Sequence, residues 1–290
     1  MPSGVMAQLI AIRIWAARAG LPRFGLHATS HLILHEREAY QGLFGYHGVV
    51  VGDRLRPITA ADLEAEHQPL ACLIAELPIR EAGGQLPDWD DLEALKSLAR
   101  QRSIPLHMDG ARLWECRAFY GRSYAEISDG FASVYVSTYK ALGGIAGAVL
   151  AGEEDFIAEA RLWRRRMGGT LVHQSPMIAS AAMRLDERLG MMDACYARAL
   201  SLAEALAEVP GMRVNPATPR TNMMHLYFDA PTETVLERRD EIAARDGVWL
   251  VDGVRSTEAP GWCVTEIYVG DTLVDHDDAW VAPRLLALLG

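Results

Sequence analysis

Lys140 stands in the stretch SVYVSTYKALGGIAGAVLAG, and the chain has only one other lysine, Lys96, among 28 basic side chains. For a surface ion pair or a phosphate contact an arginine serves as well or better, because its planar fork is always charged. A deprotonated primary amine does what a guanidinium cannot: it forms a Schiff base with an aldehyde. The neighbours suit that chemistry. Val134, Tyr135 and Val136 read as a buried strand, Ser137 to Tyr139 supply hydroxyls, and Gly143, Gly144 and Gly147 allow a close backbone approach to a ligand. On these residues alone, a lysine paired with a buried carboxylate fits equally. Lys96 is the contrast: in DWDDLEALKSLARQ the spacing of Leu92, Leu95 and Leu98 gives an amphipathic helix, and Lys96 is expected on its solvated face.

Asp109 opens the segment DGARLWE. An aspartate and glycine after a strand often only start a turn. Together with Lys140 the aspartate has a second use, because an aldehyde cofactor that acts as an electron sink needs a lysine for its carbonyl and an acid for its pyridinium nitrogen. Ser3 and Gly4, in PSGVMAQ, open a helix whose first N–H groups and serine hydroxyl suit a phosphate; the same pattern is also a plain serine N-cap. His31, in ATSHLILHE, fits either a ring-stacking role or an ordinary half-buried histidine.

The elements that must position these residues alternate. MAQLIAIRIWAARAG reads as a helix ending at Gly20, GLHATSHLILHE as a short segment and a helix, and LACLIAELP as a strand. A helix over 90–102, the strand IPLHMD and the strand before Lys140 follow. This order predicts an α/β domain with a mainly parallel sheet, in which ligands collect at the carboxyl ends of strands. Glu76, Asp109 and Lys140 each follow such a strand and are expected to face one cleft. From about Gly190 the pattern changes to a long helix stopped by Pro210-Gly211, strands at TNMMHLYFD, VWLVDG and WCVTEIYVG, a helix over PTETVLERRDEIAARDG, and the closing DHDDAWVAPRLLALLG. The expected division is a large domain over 1–189 and a smaller α+β domain over 190–290.

With 290 residues, half of them hydrophobic and 23% charged, the chain is long enough to bury a sizeable core. Its net charge of −10 argues against a general nucleic-acid binder, and the run Arg164, Arg165, Arg166 is a single local basic patch. Cys72, Cys116, Cys195 and Cys263 form no CxxC pair and no metal-ligand spacing, so reduced thiols and no metal are expected. No apolar run has the length of a membrane span and no signal-peptide arrangement is visible, which predicts a cytoplasmic protein.

Together the segments PSGVMAQLIAIRIWA, TSHLILHE, ELPIREAGGQLP, HMDGARLWE, VSTYKALGGIAGAVLAG, RRRMGGTLVHQ and RTNMMHLYF resemble the threonine aldolase and β-eliminating lyase family of pyridoxal phosphate enzymes, in family order over most of the chain. The resemblance implies an aspartate aminotransferase-type fold. It implies that Lys140 holds the cofactor aldehyde, that Asp109 pairs with the pyridine nitrogen, and that His31 stacks on the ring and is a candidate base. Ser3, Gly4 and Val5 would form the phosphate loop, Glu76 would open the next cofactor-side motif, and Arg112, with Arg80, would bind the substrate carboxylate. The implied reaction cleaves the Cα–Cβ bond of a β-hydroxy-α-amino acid to glycine and an aldehyde. A β-elimination on a small amino acid, and a silent paralogue with a binding role, remain as alternatives. A homodimer or homotetramer is implied.

Four departures from the family pattern are visible. The family usually carries a longer segment before the phosphate loop, whereas here Met1 abuts Pro2-Ser3-Gly4, so a misassigned start or a fragment is expected. Val5 stands where threonine is common, which removes a hydroxyl contact worth about 1.5–3 kcal/mol. Leu77 and Ile79 occupy the places of an asparagine and a histidine, and WCVTEIYVG lacks the arginine usual in that region.

Overall fold

The computed structural model describes residues 1–290 and divides into two compact units, Met1–Glu81 with Leu86–Gly190, and Ala82–Gln85 with Met191–Gly290. The first unit is built on a six-stranded sheet of β1 (Arg23–Leu26), β2 (His47–Val50), β3 (Leu73–Glu76), β4 (Leu106–Gly110), β5 (Ser133–Ser137) and β6 (Ala148–Gly152). Its order is β2-β1-β3-β4-β5-β6; β1 to β5 run parallel and β6 is antiparallel to β5. The helices of this unit are α1 (Gly4–Ala19), α2 (His31–Leu34), α3 (Ala39–Phe44), α4 (Ala60–Ala65), α5 (Trp89–Gln101), α6 (Arg117–Tyr120), α7 (Tyr124–Ser128) and α8 (Glu154–Arg166). A 33-residue helix, α9 (Ser175–Ala207), begins in the first unit and ends in the second. The expected α/β class with a mainly parallel sheet is what forms.

Helix α1 shows why the sheet is covered as it is. Ser3 caps its start by accepting from the Met6 N–H, and Gly20 closes it in the left-handed conformation at φ 65°, where a glycine avoids the Cβ penalty. Ala7, Gln8, Leu9, Ile10, Ala11, Ile12 and Ile14 are all buried, so α1 is apolar nearly all round and lies between other elements. Leu9 and Ile12 pack with Phe24, Leu26 and Ile74, while Ile10 and Ile14 pack with Phe156 and Ala160 of α8.

The second unit has its own core, where Leu202 and Leu206 of α9 meet Met224, Leu226 and Phe228. These belong to an antiparallel sheet of β7 (Met212–Asn215), β8 (Met223–Phe228), β9 (Val254–Ser256) and β10 (Cys263–Tyr268), ordered β7-β8-β10-β9. Helices α10 (Thr232–Asp246) and α11 (Asp278–Leu286) complete it.

Two expectations are corrected. The strand over VWLVDG does not form: Trp249 is exposed under the Arg239 guanidinium and bonds Asp252, Arg239 also holds the Asp252 carbonyl, and pairing begins only at Val254. Lys96 is not solvated but 3% exposed. Its ammonium bonds Glu93 at 2.8 Å and the Ile127 carbonyl at 3.3 Å, and lies over the Trp89 and Phe131 rings. All four cysteines are free and buried, no cluster of three or more His, Cys, Asp or Glu side chains is arranged to hold a metal, and no helix is long and apolar enough to cross a membrane.

Candidate active site

A cleft opens at the carboxyl ends of the parallel strands. The chain leaves β1 and β3 in opposite directions there, because β2 lies on the outer side of β1 and β4 on the far side of β3; ligands in such sheets bind at this kind of switch point. Gly4, Val5, His31, Glu76, Arg80, Asp109, Arg112 and Lys140 all line the cleft. Ser3 is placed differently from the rest: it sits at the N-cap with its hydroxyl accepting from Met6.

Lys140 is held by the turn that follows β5. The buried Ser137 hydroxyl accepts from the Tyr139 and Lys140 N–H groups at 3.3 and 3.2 Å. The chain then folds back, with Gly143 donating to the Lys140 carbonyl and Gly144 to the Thr138 carbonyl. Gly143 has φ +66°, and a Cβ on Gly144 would lie 2.5 Å from the Thr138 carbonyl oxygen, so both glycines are required by the turn. Burial lowers the Lys140 pKa from its ordinary value, and the Arg112 and Arg80 charges push the same way against the attraction of Asp109 and Glu76.

Asp109 is the penultimate residue of β4 and is 3% exposed. It accepts from the Gln8 side-chain amide of α1 and from the Ala111 N–H at 3.1 Å. Glu76 is its register partner on β3. One Glu76 oxygen accepts from the Arg80 N–H at 3.2 Å and the other is buried with no partner. Burial, then the Asp109 charge, pushes this carboxyl up to about 8, against the pull of the Arg80 N–H and the Lys140 charge.

The floor and rim combine residues named from the sequence with others, Gln8, Thr29, His35, Glu36 and Glu81, that were not. Tyr135 of β5 projects to the start of α1, where a Cβ on Gly4 would fall on its hydroxyl. Tyr139, 41% exposed, and Thr29 also line the cleft. His31 Nδ1 pairs with Glu36 at 3.0 Å, and His35 Nε2 pairs with Glu81 at 3.0 Å. Arg112 pairs with the buried Glu115 at 3.1 Å. Gln8 had no visible signal, since a glutamine in an apolar helix reads as an exception to it; His35 and Glu36 stood in the quoted TSHLILHE segment beside His31. Leu77 and Ile79 do not line this cleft; each is 2% exposed.

The donor set fits pyridoxal phosphate. Helix α1 offers the first-turn N–H groups of Gly4 and Val5 at the cleft wall, where a helix leaves such groups without intrahelical partners. The cleft also brings an amine of lowered pKa and a buried carboxylate to one space, and an orphaned Glu76 oxygen points to a missing polar partner.

The sequence profile of the β-eliminating lyases matches residues 1–229. A low-specificity L-threonine aldolase of Arabidopsis thaliana is 26% identical over 265 residues, which are 87% of this chain and 73% of that protein. The solved structure of a candidate L-allo-threonine aldolase from Listeria monocytogenes superposes with a TM-score of 0.93 at 38% identity, covering 99% of this chain and 80% of that one. The Leishmania major threonine aldolase has the same fold, with a TM-score of 0.75 at 17% identity over 99% of this chain and 82% of that one.

Proposed function

The chain belongs to the β-eliminating lyase family, and we propose that it acts there as a lyase of the L-threonine aldolase kind, dividing a β-hydroxy-α-amino acid into glycine and an aldehyde. The observation that carries this reading is the convergence of Lys140, Asp109 and the first turn of α1 on one cleft.

Lys140 would hold the cofactor aldehyde, Asp109 would face the ring nitrogen, and Gly4 and Val5 would meet the phosphate. When bound, pyridoxal phosphate supplies an aldehyde for the lysine amine and a ring that draws electrons from the substrate Cα. The depressed pKa of Lys140 raises the share of neutral amine, the form that adds to a carbonyl and that accepts a proton. Asp109, fixed on two sides by Gln8 and Ala111, keeps a negative group where a ring nitrogen gains from staying protonated. Arg112 and Arg80 offer guanidinium groups to the substrate carboxylate, a charge-assisted contact that orients the amino acid. His31, tethered through Glu36, keeps its imidazole at the cleft for a ring to lie against. Release of an aldehyde then requires a group that takes the β-hydroxyl proton.

Exposed apolar side chains in the first unit, among them Ile145, Val149, Val172 and Met183, support self-association into a homodimer or homotetramer. Four free, buried thiols suit a reducing compartment such as the cytoplasm.

The test supplies pyridoxal phosphate and either L-threonine or L-allo-threonine, and follows acetaldehyde by coupled NADH oxidation and glycine by mass spectrometry. Equal amounts of aldehyde and glycine support the reading. A 2-oxo acid and ammonia in their place would turn it into an elimination.

A further inference from the structure

We propose that His35, oriented by Glu81, is the group that takes the β-hydroxyl proton, an inference that rests on the aldolase reading. Helix α2 is a single turn: His31 opens it, His35 closes it, and the His35 N–H donates to the His31 carbonyl at 2.9 Å. Residues four apart share a face, and the two imidazoles lie side by side with ring centroids 4.8 Å apart and a tilt of 39°. Both line the cleft.

Each imidazole has its own carboxylate set behind it. The Glu36 and Glu81 side chains are 4% and 11% exposed, while the rings they hold are 38% and 39% exposed. A buried carboxylate on one ring nitrogen fixes the tautomer and aims the other nitrogen outward, as in histidine bases of acyl-transfer enzymes. For His35 the bond is at Nε2, which leaves Nδ1 for the substrate.

The segment after β3 explains why the second histidine comes from α2. Ile79 is buried, does not line the cleft, and has no group that takes a proton. Two positions on, Glu81 both holds His35 and pairs with Arg80 at 3.5 Å. One carboxylate therefore ties the side chain offered to the β-hydroxyl to a guanidinium offered to the α-carboxylate, fixing the spacing between them. In the step itself His35 Nδ1 takes the hydroxyl proton and the O–H electron pair closes the carbonyl of the departing aldehyde. The Cα–Cβ pair stays on the glycine carbon, which afterwards takes up one proton.

Two reactions of the cofactor-loaded protein test this: aldehyde release from L-threonine and L-allo-threonine, and exchange of the glycine Cα proton in D2O, which involves no hydroxyl. In His35→Asn, cleavage should fall about 100-fold, a modest share for a general base, while exchange stays within about twofold of wild type. Glu81→Gln should slow cleavage alone by a smaller factor, and added imidazole should restore part of the cleavage lost in His35→Ala. Wild-type cleavage rates in His35→Asn would overturn the proposal by itself, as would an equal loss of cleavage and exchange. A wild-type protein that exchanges the glycine proton yet releases no aldehyde from either substrate would overturn the aldolase reading and, with it, the assignment of His35.

Discussion

Glu76 and Asp109 are direct register partners on adjacent parallel strands, so two carboxyl groups end side by side at the wall of one cleft. Two neighbouring carboxylates in a dry place do not both ionise easily, and the less favoured one keeps its proton. Here Glu76 is that one, pushed up to about 8 first by burial and then by Asp109.

A raised carboxyl pKa has a definite sign in stability. The folded protein keeps a proton on Glu76 that the unfolded chain releases near its ordinary value of 4.5. This contribution is therefore complete below that value and is lost as the pH climbs toward about 8. The urea midpoint of the cofactor-free protein should fall over that window, and Glu76→Gln should flatten the fall. An unchanged slope in the variant would mean that Glu76 is ionised throughout.

Lys140 is the only lysine in the cleft; Lys96, the other one, is locked between Glu93, Ile127, Trp89 and Phe131. Borohydride reduction of the protein mixed with pyridoxal phosphate should fix the cofactor to the peptide containing Lys140. Lys140→Ala should lose the visible absorbance band of the attached cofactor while keeping the wild-type circular dichroism. Label recovered on another amine would remove Lys140 from its assigned role.

A Cβ on Gly4 would fall on the Tyr135 hydroxyl. A methyl group there must push aside either the tyrosine or the first turn, whose N–H groups are proposed to meet the phosphate. Loss of one charge-assisted hydrogen bond is worth about 1.5–3 kcal/mol, so Gly4→Ala should weaken pyridoxal phosphate binding by about 10- to 100-fold in a fluorescence titration. The double variant with Tyr135→Phe removes the clashing oxygen and should recover part of that loss. Binding unaltered by Gly4→Ala would place the phosphate elsewhere.

The parallel strands that end in Glu76, Asp109 and the Lys140 turn were legible because each is a compact apolar run followed by a polar residue, and α1 because Ser3 and Gly20 bracket it. The sheet edges were not. β2 is His-Gly-Val-Val, half-exposed and broken by Gly48, and β6 is mostly small residues whose pairing depends on β5. The rim of the cleft was hidden for a different reason: the His35–Glu81 pair joins residues 46 positions apart and has no local periodicity to announce it. Lys96 was misread because an amphipathic stripe defined by leucines says nothing about what lies beside it, here Trp89, Phe131 and the Ile127 carbonyl.

That burial of Lys96 makes its stem part of the packing. Lys96→Met keeps the stem and gives up the two hydrogen bonds together with the desolvation cost of the charge, so its unfolding free energy should stay within about 1 kcal/mol of wild type. Lys96→Ala gives up the same two hydrogen bonds and in addition leaves a cavity where the stem packed, and should cost about 2–4 kcal/mol. Glu93→Gln, at a side chain 48% exposed, should change little. Urea unfolding of the three variants checks the order; a Lys96→Met loss as large as that of Lys96→Ala would show that the ion pair, not the stem, dominates.

Ser133 joins α1 to the sheet through a single hydroxyl. The Trp15 indole N–H donates to its Oγ at 2.9 Å, and His107 Nδ1 lies 2.8 Å from the same oxygen. Burial drives the pKa of that imidazole down from 6.5 to about 3, partly countered by a hydrogen bond to the Ser133 backbone. Ser133→Ala strands a buried His107 nitrogen and the half-buried Trp15 indole N–H and should cost about 2–6 kcal/mol, at roughly 1–3 kcal/mol for each unsatisfied group. For His107 the linkage has the opposite sign to that of Glu76. An imidazole with a lowered folded-state pKa contributes stability that is complete above 6.5 and disappears as the pH falls toward about 3, where the folded ring must also charge. His107→Gln, which cannot titrate, should be less stable at neutral pH yet lose less of its remaining stability on acidification. Parallel acid slopes for wild type and His107→Gln would place a charged, solvated imidazole where the structure has a neutral one.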